Sequence, residues 1–148
     1  MRTSAVLAII IGCGLIASSA FAQSRVEDPQ IVTYIDTPLF ESYQAKDHVV
    51  FSGWAFHCAT GQQPVSLRIR YFSEFGQWID IPATVTWRQA RPDVKAVFLP
   101  YCPNLGPFIG WTITFDIEAP ALGHRWFSFT WNDQSGSKTQ NWAINIAP

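Results

Sequence analysis

Polar and apolar residues alternate along most of this chain with a period of two. From Val65 to Phe72, the residues Val65, Leu67, Ile69 and Tyr71 fall on one side and Ser66, Arg68 and Arg70 on the other. That is the signature of a half-buried strand. The same pattern returns from Gly110 to Ile117, with Trp111, Ile113, Phe115 and Ile117 facing inward and Thr112, Thr114 and Asp116 outward. Val49 to Phe56 is apolar on both faces and is expected to run centrally between covered layers. Gly53 inside it marks a bulge or a close backbone approach. Gln30–Ile35, His124–Trp131 and Gln140–Ile146 are further strands, the last with Trp142, Ile144 and Ile146 inward. Ser73-Glu74-Phe75-Gly76-Gln77 is a hairpin turn in which Gly76 supplies the positive φ. Trp78 to Trp87 is predicted to be one bent edge strand, because the proline inside it, Pro82, is tolerated at an edge. Leu39 to Lys46 shows no clear period.

Seven short strands with regular turns predict an all-β immunoglobulin-like antiparallel β-sandwich, with a small closed barrel as the alternative. The alternation stops between Arg88 and Pro107, where Pro92, Pro100, Pro103 and Pro107 occur. Within this stretch one short helical turn is expected near residues 92–98. Pro92 suits its first position. Asp93 suits a cap that accepts from following backbone N–H groups. Arg91 offers a rigid fork of donors for neighbouring carbonyls or a carboxylate. The stretch is therefore expected to be the structural scaffold of a long crossover.

The first residues change the compartment. Arg2 precedes an apolar run from Ala5 to Leu15, and Ala20-Phe21-Ala22 follows, the layout of a secretory signal peptide cleaved after Ala22. Ile10-Ile11-Gly12-Cys13 is a competing lipobox, in which Cys13 would carry a lipid anchor; it would leave an apolar stub from Gly14 to Ala22 on the mature protein. The division expected is residues 1–22 as signal, 23–47 as an N-terminal segment with the first strand, and 48–148 as the sandwich, which forms one domain with that strand. No later segment is apolar enough to span a membrane. The expected localisation is secreted or periplasmic. The formal net charge of −1 supplies no basic footprint for nucleic acid. Two cysteines remain after cleavage, Cys58 and Cys102, and in an oxidising compartment they are expected to form a disulfide at one end of the sandwich.

Candidate chemistry is sparse. A metal site at His57, Cys58 and Cys102 lacks paired ligand spacing, and His48 and His124 suit turns. Neighbouring strand residues point to opposite faces, so His57 is poorly placed to activate Cys58. Asp116 and Glu118 share a face and are not the opposed carboxylates of a glycosidase. Asp133 to Gly136 supplies too few carboxylates for calcium. No metal or other cofactor is expected. The remaining lead is aromatic: Trp78, Trp87, Phe75 and Tyr101 are candidates for an exposed ligand-binding surface. Trp54, Trp111 and Trp142 are expected in the core.

Gly53-Trp54-Ala55, Arg91-Pro92-Asp93-Val94, Gly110-Trp111, Leu122-Gly123-His124 and Asp133 with Gly136 occur in an order that resembles bacterial immunoglobulin-like (Big-type) domains. Those domains carry a "GWA … RPDV … GF … LxxGxH … D..G" pattern. The resemblance covers Val49 to Ile146, and the two cysteines depart from it. It implies an accessory module of an exported or cell-surface protein. The expected function is a non-catalytic binding or structural module of the bacterial envelope or secretome, with a protein or glycan partner. A carbohydrate-binding module using exposed aromatics is the alternative, and a small secreted hydrolase or enzyme inhibitor the second.

Overall fold

The computed structural model describes residues 30–118 and 121–148. The segment expected to be a signal peptide, residues 1–22, and Cys13 lie outside the described residues. Nine strands and one helix are present among them: β1 (Ile31–Thr37), β2 (Tyr43–Ala45), β3 (Val49–His57), β4 (Ser66–Phe72), β5 (Trp78–Asp80), β6 (Thr84–Ala90), α1 (Pro92–Phe98), β7 (Phe108–Phe115), β8 (Gly123–Asn132) and β9 (Ser137–Ala147). One sheet runs β1-β3-β7-β6 and the other β2-β9-β8-β4-β5. Read in immunoglobulin order, the first is A-B-E-D and β4, β8, β9 are C, F and G. Short β5 extends the second sheet beside β4, and β2 lies parallel to β9 at the other edge. The fold is therefore an all-β, immunoglobulin-like sandwich.

Three expectations need correction. Trp78 to Trp87 is not one strand: β5 pairs with β4 in the second sheet, and β6 pairs with β7 in the first. Pro82 cannot donate to a ladder, and the chain changes sheets around it. Residues 91–107 are consequently no crossover between sheets, because β6 and β7 are antiparallel neighbours. They form a long connection that doubles back over the first sheet. Val65 is exposed; it precedes β4 and donates its backbone N–H to the Asn132 carbonyl. Within Leu39–Lys46 the structure also finds the short strand β2, whose three residues are too few to show a period.

The main core lies between the sheets and is aromatic. Phe51, Trp111, Phe127, Phe129 and Trp131 are fully buried. Phe51 meets Phe129 at 4.8 Å between ring centroids, and Trp111 meets Trp131 at 5.9 Å. A second, smaller core covers the outer face of the first sheet, where Trp54 and Phe56 pack with Val94, Cys102, Leu105 and Ile109. This explains why β3 is apolar on both sides. It also moves Trp54 out of the main core, while Trp142 sits half-buried at its margin.

Gly53 is required by a close approach. A Cβ there would lie 2.1 Å from the Tyr34 carbonyl oxygen and 3.0 Å from the Trp111 ring. Gly53→Ala is expected to lower unfolding stability by about 1–3 kcal/mol, the usual range for overpacking. Gly106→Ala, whose added carbon would meet nothing nearer than 3.6 Å, is expected to stay within about 0.5 kcal/mol. Urea unfolding of the two variants checks the difference.

Candidate functional site

Helix α1 is short and depends on what it packs against. Pro92 starts it, and the preceding residue, Arg91, makes no side-chain cap hydrogen bond. Instead the Arg91 guanidinium reaches outward. Its Nε and Nη2 donate to the two carboxylate oxygens of Asp93, at 3.0 and 2.7 Å. Its Nη1 donates to Asp36 on β1. The side chain passes over Gly110 on β7, where a Cβ would sit 2.9 Å from Arg91 Cγ. Glycine at 110 thus opens the path that lets Arg91 tie the connection to the far edge of the sheet.

The electrostatics follow. The Arg91 hydrogen bonds hold the Asp93 carboxyl down at about 2, helped by the Val94 backbone N–H and opposed by desolvation. Arg91 is held above its usual range, first by Asp93 and then, against the cost of its own burial, by Asp36.

Beside this clamp lies a groove of about 380 Å³. Its floor is Trp54 and its cross-strand partner Tyr34, whose rings stack at 6.1 Å and 24°. Val94, Val97 and Phe98 of α1 form a wall, with Phe98 5.3 Å from Trp54. Arg91, Asp36 and Asp93 supply the polar end. Tyr34 is 49% exposed whereas Trp54 is nearly covered, so Tyr34 carries the accessible ring. From Tyr34 a chain of edge-to-face contacts continues through Trp142 (6.3 Å) and Phe40 (5.4 Å) to Trp126 (5.7 Å). Trp142 Nε1 is anchored on the Pro38 carbonyl at 2.9 Å.

The cover over the sheet is stapled. Cys58 and Cys102 form a disulfide with 5.0 Å between Cα atoms. It joins the loop after β3 to the loop after α1 and does not bridge the sheets. Asn104 Nδ2 donates to the Ala59 carbonyl in the same contact. The hairpin after β8 meets them through Ser135 Oγ, 3.4 Å from His57 Nε2. The first two loops share one end because β3 and β6 both run antiparallel to β7, and the Ser135–His57 contact places the β8–β9 hairpin there too.

The four aromatics singled out in the sequence are not brought together. Phe75 is 80% exposed in the β4–β5 turn. Trp78 lies near it, packed on Phe72 with Arg70 over its ring at 5.5 Å. Trp87 packs half-buried against the main core. Tyr101 is exposed at the opposite end, beside Cys102. Gly123 has φ +84, and His124 Nε2 is 3.7 Å from Glu41 Oε1. Among the described residues no group of three His, Cys, Asp or Glu side chains is placed to hold a metal ion. The groove residues Tyr34, Asp36 and Phe98 were not singled out from sequence. Tyr34 does alternate outward in the first strand, but its pairing with Trp54 needs the β1–β3 register.

The chain matches no family model and no curated protein. Among solved structures it resembles an engineered protein at 11% identity and a TM-score of 0.47, covering 80% of this chain and 20% of that one. It therefore spans about a fifth of that protein's length. It also resembles the titin M3 domain at 9% identity and a TM-score of 0.41, covering 80% of this chain and 97% of the domain.

Asp93 has a lowered carboxyl, so the stability it contributes is present above the ordinary carboxylate range and is lost as pH falls through about 2. Asp93→Asn is expected to melt below the wild type at pH 6. The gap is expected to narrow from about pH 4 downward and to close near pH 2. Melting curves across that range check it, and equal melting temperatures at pH 6 contradict it.

Proposed function

We propose that this chain is an exported, non-catalytic binding module of the bacterial cell envelope or secretome, of the bacterial immunoglobulin-like kind, and that its ligand is a glycan. The reading rests chiefly on the exposed Tyr34 ring, stacked on Trp54 and flanked by Arg91, Asp36 and Asp93. A pyranose has an apolar C–H face and a rim of hydroxyls. An aromatic floor takes the first, and convergent donors and acceptors take the second, the usual division of labour in a ligand site. Asp36 and Asp93 accept hydroxyl hydrogen bonds with oxygen lone pairs that Arg91 leaves over. Because Arg91 fixes both carboxylates beforehand, little ordering cost falls on binding.

Export is supported by the signal-peptide layout and by the disulfide, which persists in oxidising compartments. The family reading is supported by the way its residues meet. Trp54 and Val94 pack in one cluster, Arg91 runs over Gly110, and Gly53 admits β1 beside them.

A glycan array followed by calorimetry tests the proposal. Saturable binding of a glycan is expected, weakened at least tenfold by Tyr34→Ala and unchanged by Trp78→Ala. Binding lost in Trp78→Ala but kept in Tyr34→Ala, or no binding to any glycan, contradicts it.

A further inference from the structure

A second pocket, of about 310 Å³, opens at the opposite edge of the first sheet from Tyr34. Gly61 and Gln63 of the loop after β3 form one side, Gly106, Pro107 and Phe108 the other, and Arg88 of β6 closes it. Arg88 has φ +64, a left-handed backbone that a long L side chain seldom adopts. The β6–β7 register shifts at this point, between Thr86 and Gln89. The conformation is held from outside the strand. The Arg88 backbone N–H donates to Gln63 Oε1 at 3.0 Å, and Gln63 Nε2 donates to the Gly110 carbonyl at 3.0 Å. One glutamine thus pins the irregularity, and a bulge of this kind re-aims the side chain it carries. Backbone strain that the surroundings take trouble to hold points to a use for the side chain.

The re-aimed group is an unengaged cation. Arg68 pairs with Asp80, Arg91 with Asp36 and Asp93, and Arg70 lies over Trp78. The Arg88 guanidinium has no carboxylate, carbonyl or ring partner among the described residues. No acidic side chain lines the pocket, and one wall is the Phe108 ring, 52% exposed. The pocket therefore offers a planar donor fork, a flat apolar face and an amide-and-backbone side with no opposing charge. A guanidinium matches a planar carboxylate bidentately. No second cation stands by for the higher charge of a phosphate.

We propose that this pocket binds a hexuronate, a sugar ring bearing a carboxylate. The carboxylate pairs with Arg88, the ring face rests on Phe108, and hydroxyls meet the Gln62 and Gln63 side. The pocket shares no residue with the Tyr34 groove and does not depend on it.

NMR titration of the purified protein with galacturonate, galactose and inorganic phosphate tests the site. Galacturonate is expected to give saturable shifts at residues 61–63 and 106–108, with galactose and phosphate each at least tenfold weaker. Arg88→Gln is expected to weaken galacturonate at least tenfold while leaving the thermal transition in place, and Arg68→Gln to leave binding unchanged. A Phe108→Ala variant, which leaves the bulge alone, is expected to weaken it severalfold. Equal binding of galactose, equal binding of phosphate, or galacturonate binding that survives Arg88→Gln overturns the proposal.

Discussion

The Arg91 guanidinium lies across the outer face of one sheet and grips two carboxylates that sit on different parts of the chain, Asp36 on β1 and Asp93 on α1. A half-buried charge is costly unless its donors are met, and removal of one partner costs more than the pair contributes. Here two carboxylates meet the fork. The sequence makes room for it with Gly110, which has no side chain to block the path. What this clamp positions is a seven-residue helix that has little stability of its own. Its apolar side, Val94 and Phe98, closes over Trp54 and Phe56 and makes the second core.

The disulfide acts on the same cover from its other end. Its cysteines are 44 residues apart, and a closed loop of that length stabilises by about 4 kcal/mol in the chain-entropy account, before native strain is subtracted. Gly61 lets the two stapled loops touch, since a Cβ there would fall 1.9 Å from the Asn104 carbonyl oxygen. Clamp and staple therefore hold a connection of loops and one helix against a sheet that would otherwise expose Trp54 and Phe56. The groove exists because the cover stops short of β1 and leaves Tyr34 open to solvent.

Much of the fold was legible in residue spacing. The alternation in Val65–Phe72 and Gly110–Ile117 placed strands and faces, with Val65 the exception, and the two-sided apolar run of Val49–Phe56 announced a strand covered on both sides. The helical turn followed from Pro92 and the break in alternation. What spacing does not carry is partner choice. Trp78–Asp80 and Thr84–Ala90 read alike, yet they join different sheets, and only the neighbours available to each decide that. The site was hidden for the same reason. Tyr34 meets Trp54 through strand register, and Asp36 meets Arg91 across 55 residues. Phe75, Trp78, Trp87 and Tyr101 were conspicuous by residue type, but the topology scatters them over both ends and the core.

The central claim is that Arg91 holds the α1 cover, and with it the groove, onto an independently stable sandwich. Amide hydrogen exchange of Arg91→Ala against the wild type tests it most directly. The account predicts faster exchange in residues 91–107, with protection of β3, β7, β8 and β9 kept. Unchanged exchange in α1, or a uniform loss across all strands, would contradict it.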